Sequence, residues 1–331
     1  MRLLAWTQRR ALLLVLAAAL VACRSGEETS TTTGAASTGS GGAGSGGAGG
    51  AGGALPPSQR LTVLDWNTHD FFDNVQNGTE TVLGTTAFNK KVATIGGVIK
   101  SMDPDVVMLA EIENQNVLDT LNSTALAKAY PYRIVLPGND PRGINVALLS
   151  KIAPETVLSH AGDTFIEKST PGKFYKYSRD CLEVHLTVNG RRLVLLGVHF
   201  KSKATPDDPD KRLAEGEYTR ILADGLTAKD PGLGVLVLGD FNDETGSAPW
   251  NAVAGPKADL YGDATAQVPT AQDYSYTFNG MHELIDHQLA NPLLGKRLDT
   301  SSVRIEHGPG IDDDSAAASD HAPVLATYQV N

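Results

Sequence analysis

From Arg60 onward the chain reads as short apolar runs between polar turns, joined by two longer stretches of helical spacing. Leu61–Asn67 predicts a strand bounded by polar loop residues. Phe88–Met102 carries apolar residues at three- and four-residue intervals and stops at Asp103-Pro104, which predicts a helix. Val106–Ala110 is an unbroken apolar run of strand length, the pattern of a sheet buried on both faces. Further strands are predicted at Tyr132–Leu136, Val146–Ser150, Leu182–Val188, Leu193–Phe200, Gly234–Leu238, Leu284–Leu289 and Val324–Gln329, with a second helix over 210–228. No repeat of fixed period appears. The predicted class is mixed α/β with two packed sheets.

Before Arg60 the pattern differs in kind. Arg2, Arg9 and Arg10 precede the run ALLLVLAAALVA, which ends at Cys23. A basic start, an apolar centre and small residues at the end describe an export signal, and the run is short for a bilayer span. No second stretch is long enough to span, which excludes a multi-pass membrane protein. Leu20-Val21-Ala22-Cys23 resembles the bacterial lipobox, which implies cleavage before Cys23 and a lipid on its sulfur. Residues 24–57 hold twelve of the 34 glycines and have almost nothing to bury against their ordering entropy. They read as a flexible tether, and random-coil scaling sets the domain about 30 Å from the membrane. The expected organisation is a signal peptide over 1–22, a lipidated Cys23 and tether over 23–57, and one domain over 58–331. Its expected location is the periplasmic or cell-surface side of a bacterial membrane.

Composition narrows the classes further. The chain has 331 residues with 41% apolar and 20% charged, which suits a soluble core. Its formal charge is -10, and loss of the three leader arginines makes it -13. Only Cys23 and Cys181 are present, so a disulfide scaffold and a Cys-rich zinc site are excluded. Cys181 falls in a predicted strand and reads as a buried thiol. The N-x-T patterns at Asn77 and Asn122 are chance matches in a bacterial lipoprotein.

Polar residues gather at the ends of the apolar strands. Six segments do this: Asp65-Trp66-Asn67, Ala110-Glu111, Gly197-Val198-His199, Gly239-Asp240-Phe241-Asn242, Ile285-Asp286-His287 and Ser319-Asp320-His321. Strand ends are where binding groups converge over a rigid base. One such segment is ordinarily solvated, but six in one domain point to a site. Glu111, Asp240 and Asp320 offer carboxylate oxygens, and Asn67 and Asn242 add amide oxygens, a set suited to Mg²⁺ or Mn²⁺. His199 and His321 can exchange protons or bind phosphate, and Arg179 can grip a phosphate in fork geometry. The chemistry this suits is metal-assisted hydrolysis of a phosphate ester.

Together the segments resemble the endonuclease/exonuclease/phosphatase superfamily, over about Arg60 to Gln329. The most specific pieces are Gly239-Asp240-Phe241-Asn242, Val198-His199-Phe200-Lys201-Ser202 and Ser319-Asp320-His321. The resemblance implies a DNase I-like four-layer α/β sandwich, two packed mixed sheets flanked by helices. It implies Glu111 as principal metal ligand with Asn67 close by, and Asp320 and Asp240 near the metal. Asp240 and Asn242 would hold the attacking water and a phosphate oxygen. His321 would be base or transition-state stabiliser, oriented by Asp286, with His199 the second histidine and Arg179 a phosphate contact. One departure stands out: Arg142-Gly143-Ile144-Asn145 replaces a carboxylate that orients the second histidine in some secreted DNases, so His199 lacks that partner.

The superfamily does not fix the substrate. Export and the positive charge of Lys201-Ser202-Lys203 favour nucleic acid, DNA first and RNA next, although the net charge of -13 opposes it. A phospholipase C, sphingomyelinase-like or inositol-phosphate substrate is the alternative, and a non-catalytic binding module a third. A lipid-cleaving member would show exposed apolar loops or a β-hairpin at the site, and none is evident in the sequence. No obligate protein partner is implied, and a monomer is expected. His69, His160, His185, His282 and His307 match no motif and read as surface or satisfied positions, and His287 as a neighbour of the site at most. Asp312-Asp313-Asp314 and Asp207-Asp208 could hold a structural Ca²⁺, but a solvated acidic loop is commoner.

Overall fold

The computed structural model describes residues 59–331 except 77–81, 167, 169–171, 205 and 314–318. The signal peptide, Cys23 and the tether, together with Asn77 and Asp314, lie outside the described residues.

One sheet holds β1 (Arg60–Phe71), β2 (Val106–Ile112), β3 (Tyr132–Val135), β4 (Asn145–Ser150), β15 (Leu298–Ile305) and β16 (Val324–Gln329). Its order is β15-β16-β1-β2-β4-β3. The other holds β5 (Thr156–Ser159), β8 (Cys181–Val188), β9 (Arg191–His199), β10 (Gly234–Asp240), β11 (Gly262–Asp263) and β14 (Asp286–Ala290), in the order β11-β14-β10-β9-β8-β5. Each has one parallel pair, β1 with β2 and β9 with β10, and is otherwise antiparallel. Two small hairpins, β6 (Phe165–Ile166) with β7 (Phe174–Tyr175) and β12 (Tyr276–Phe278) with β13 (Met281–Glu283), stand apart.

Strand periodicity sorts the side chains into three cores. Leu61, Val63, Met108, Leu195, Leu236 and Leu238 meet between the sheets. The alternate positions Leu64, Trp66, Val107 and Leu109 pack under α1 (Thr85–Met102) and α2 (Gln115–Thr120). Val194, Leu196, Val235 and Val237 pack under α3 (Pro209–Lys229) and α4 (Ala248–Ala254). Both faces of the central strands are therefore dry, and their sequences read as unbroken apolar runs. The four layers match the predicted sandwich.

Most predicted elements lie within a few residues of their expected bounds. The strand expected over 284–289 begins instead at Asp286 and ends at Ala290. β15 went unseen because Leu298-Asp-Thr-Ser-Ser-Val-Arg-Ile is an edge strand with a wet face and no apolar run. α4 and the short β5 went unseen for similar reasons of length and exposure.

Gly239 fixes the last turn of β10 before Asp240. Its φ is +124°, and a Cβ there would lie 2.2 Å from the Val198 carbonyl oxygen on β9. Gly239→Ala is expected to destabilise the domain by roughly 1–3 kcal/mol, from backbone strain alone. A denaturant midpoint unchanged from the parent would refute that.

Candidate active site

The same periodicity that builds the inter-sheet core builds the site above it. Asn67 continues the Leu61–Val63 face, His199 the Leu193–Leu195 face and Asp240 the Leu236–Leu238 face, while Asp286 shares a face with Ala290. Where the apolar residues end, the polar ones begin, at the rim of the two sheets. The cleft they form has a volume of about 560 Å³. Asn67, Glu111, Arg179, His199, Asp240, Asn242, Asp320 and His321 all line it, and Asp286 is buried beneath His321. Nine residues predicted from distant segments thus converge.

Backbone irregularities aim several of them. Glu111 has φ +65° and Asn242 φ +53°, as do His69 and Asp70 at +50° and +47°. The Glu111 carboxylate accepts from the Asp70 amide at 2.6 Å. The Asn67 amide Nδ2 donates to Asp240 at 3.0 Å and to Glu111 at 3.5 Å, and its Oδ1 accepts from the His69 amide. Asn67 therefore braces the two carboxylates Glu111 and Asp240, beside the place expected for the metal. Its carbonyl accepts from Ser319 Oγ, which in turn accepts from the His321 amide, and Trp66 Nε1 donates to the His321 carbonyl at 2.7 Å. The first and last polar segments are locked together by these bonds.

His321 Nδ1 lies 2.7 Å from Asp286, while Nε2 is 3.9 Å from Asp320 and 4.0 Å from Asp240. Burial opposes its charge, but Asp286, Asp240 and Asp320 outweigh that and hold its pKa up at about 10. Burial and the nearby Asp286 push Asp240 up to about 7, and burial with Asp70 raises Glu111. His199 behaves oppositely. Burial first, then Arg179, His321 and Arg142, drive its pKa well down, so the ring is neutral. Its Nε2 lies 3.4 Å from Asp240, and its buried Nδ1 has no hydrogen-bond partner, as the missing carboxylate predicts.

The residues expected to contact phosphate line the same cleft. Arg179 is buried, with Nε 2.9 Å from Asp140 and Nη1 donating to the Phe200 carbonyl at 2.8 Å. Asn242 Nδ2 donates to that same carbonyl. Arg142, singled out only as a departure from pattern, reaches into the cleft beside Asp70 and Asp140. His69 is the clearest correction: it lines the cleft with Nδ1 3.4 Å from Asp320, because β1 runs on past Asn67. His287 points to the other face of β14, toward Asp263 and the Asp243 carbonyl. His160 and His185 bond Glu183, away from the cleft. The acidic pairs offered for Ca²⁺ are engaged elsewhere: Asp312 by His307 and Gly308, Asp207 by Arg212, and Asp208 as the cap of α3.

The hairpin β12–β13 was missed outright, and it stands over the cleft. Tyr276, Phe278, Met281 and Glu283 face the site, with Phe278 51% and Met281 61% exposed. The signal was present, since Asn279-Gly280 between alternating residues is a strong hairpin sequence.

The donor set fits a divalent metal. Glu111 and Asp240 are buried carboxylates whose charges are disfavoured by burial and by Asp70 and Asp286 respectively, a burden that a hard cation relieves. Asp240, Asp286 and His321 also offer ligand atoms within 4.8 Å of one another.

Known proteins point the same way. A family model described as Endonuclease/Exonuclease/phosphatase family matches residues 65–294. Among solved structures, the human nocturnin catalytic domain with bound sulfate anion aligns at TM-score 0.60 and 15% identity, over 82% of this chain and 95% of that one. TDP2 from C. elegans aligns at TM-score 0.54 and 17% identity, over 82% and 75%. D. rerio TDP2 complexed with single strand DNA product aligns at TM-score 0.51 and 15% identity, over 82% and 99%. At these identities the likeness is one of fold. No curated protein matches the sequence.

Proposed function

The chain belongs to the endonuclease/exonuclease/phosphatase family, metal-dependent hydrolases of phosphate esters, and from that premise we propose an exported, membrane-tethered nuclease that cleaves DNA or RNA phosphodiesters with Mg²⁺ or Mn²⁺. The observation that carries the reading is the division of the cleft. Glu111, Asp240 and Asp320 form an acidic side for a cation, and Arg142, Arg179 and Lys203 supply positive charge at the same opening. A phosphodiester fits between them. Lys203 is paired with Glu283 at 2.9 Å, so its charge is held over the cleft by the hairpin.

Glu111, Asp240 and Asp320 would hold the cation, which would supply Lewis-acid polarisation of the phosphate. The chain's own groups do the rest. Arg179, fixed by Asp140 and the Phe200 carbonyl, presents its free N–H groups to a phosphate oxygen. Asp240 and Asn242 hold the attacking water against phosphorus. Neutral His199 bonds a phosphate oxygen and does not serve as an acid. His321, kept charged by its carboxylates, donates from Nε2 to the oxygen where charge develops, and Asp286 fixes its ring.

A second reading has one observation in its favour. The exposed hairpin is the feature expected of a lipid-cleaving member, so a phospholipid phosphodiester is the alternative substrate. Purified protein with Mg²⁺, given plasmid DNA, single-stranded DNA, RNA, phosphoinositide and sphingomyelin in parallel, decides the matter. The nuclease reading expects turnover of nucleic acid first, and turnover of lipid alone would overturn it.

Membrane attachment is a separate part of the proposal. Cys23→Ser is expected to release the protein from the membrane fraction and leave catalysis intact, since the tether separates anchor from site. Retention in a detergent-requiring fraction would refute the lipidation.

A further inference from the structure

The buried face of α3 is not wholly apolar. Arg212, Glu215 and Thr219 lie on it beside Ala214, Gly216 and Ala223, against the sheet that carries β9 and β10. Glu215 is fully buried, and its carboxylate accepts two backbone amides at 2.6 Å each, Ser178 N–H through Oε1 and Lys201 N–H through Oε2. Taking a carboxylate out of water is costly, and a helix that served packing alone would carry an apolar side chain there. Arg212 grips the far side of the same residue: its Nη1 donates to the Lys201 carbonyl at 3.0 Å, and its Nε to Asp243 at 3.0 Å.

The Lys201 N–H belongs to the peptide group that carries the Phe200 carbonyl. In a trans peptide these two groups point in opposite directions, so a partner that fixes one fixes the other. With its N–H drawn to Glu215, the peptide aims the Phe200 carbonyl at Arg179 and Asn242, accepting from Arg179 Nη1 at 2.8 Å and from Asn242 Nδ2 at 3.2 Å. Ser178, held by the other Glu215 oxygen, directly precedes Arg179. One buried carboxylate thus acts on the guanidinium twice, through the backbone before it and through the carbonyl it donates to.

We infer that Glu215 is a positioning residue, which sets Arg179 and Asn242 through the Phe200–Lys201 peptide without touching substrate. The inference rests on the assignment of Arg179 and Asn242 to phosphate, whether that phosphate belongs to nucleic acid or to lipid. Two amides need two acceptors. Glutamine at 215 keeps the size but offers one oxygen, and turns an NH₂ group toward the other N–H. The peptide is then free to turn, and its carbonyl leaves both side chains.

The test uses bis(p-nitrophenyl) phosphate with Mg²⁺ or Mn²⁺, a diester that favours neither substrate reading. Glu215→Gln is expected to lower kcat/KM by at least about 10-fold, the scale of a displaced positioning group. The double variant with Arg179→Ala is expected to lose little beyond Arg179→Ala alone, because both changes act on one unit. A general loosening of the domain would multiply with the loss of the arginine, and that result overturns the inference. So does parent-level kcat/KM in Glu215→Gln. Glu215→Asp keeps the charge but is one methylene too short to span both amides, and it carries the same cycle if the glutamine variant does not fold. If neither folds, the carboxylate belongs to the fold alone and the positioning role is overturned. Failure of the parent to cleave the ester withdraws Arg179 and Asn242 from phosphate chemistry, and the inference with them.

Discussion

Exhaustive dialysis against EDTA is expected to abolish hydrolysis, and Mg²⁺ or Mn²⁺ to restore it. The reason lies in Glu111 and Asp240, two buried carboxylates brought within reach of one Asn67 amide. Burial raises both pKa values, so the acidic floor is incomplete without a cation to complement it. Removing one ligand charge should show the same dependence: Glu111→Gln is expected to weaken metal activation by roughly 10–100-fold. The pH dependence has a definite sign. Protons compete with metal for Asp240, whose pKa is raised to about 7, so apparent metal affinity falls as pH drops through about 7. Undiminished activity in chelator would remove the metal from the mechanism, and a metal affinity indifferent to pH over that range would remove Asp240 as a ligand that must lose a proton.

Replacing His321 by alanine is expected to lower kcat by at least about 10²-fold. No other group among the described residues both reaches the cleft floor and is held charged by three carboxylates. The fold is expected to survive, because the bonds that tie this segment to Trp66 and Ser319 come from the His321 backbone and remain in alanine. Asp286→Asn keeps the ring but removes both the charge that supports it and the acceptor for Nδ1 at 2.7 Å. Activity should fall there too. Since the two residues act as one unit, the double variant is expected to be scarcely worse than His321→Ala alone. Losses that multiply would show that Asp286 and His321 act independently, and the pairing would have to be abandoned.

Much of this site was legible because its parts sit where apolar strands stop. Asn67, His199 and Asp240 each follow, and Asp286 opens, a run whose burial on both faces makes it easy to read, and the strand period then places all four between the sheets. His69 and Arg142 were less legible. They occupy a strand extension with left-handed backbone and a turn held by Asp140, neither of which has a hydrophobic signature. The Asn67 side chain shows a further limit: residue type placed it near the acidic groups, but its bonds to both Glu111 and Asp240 depend on where those two strands end. The hairpin differs again. Its Asn279-Gly280 turn was readable, but its orientation over the cleft depends on Ser275 and Tyr276 meeting residues far along the chain.

The strand order also governs when the enzyme can exist. β1 opens the domain, yet it lies between β2 and β16 and pairs with β16 from Arg60 against Gln329 to Asp65 against Val324. β16 follows every other strand in sequence, and His321 immediately precedes it. A growing chain therefore cannot close its first sheet, nor assemble the His321–Asp286 pair, until nearly the whole domain has been synthesised. Chains truncated before β16 are expected to lack hydrolysis, because β1 then has no partner on that side and His321 no seat. The strand that closes the first sheet is thus also the one that sets His321 against Asp286, so closing the sheet and completing the pair are one event.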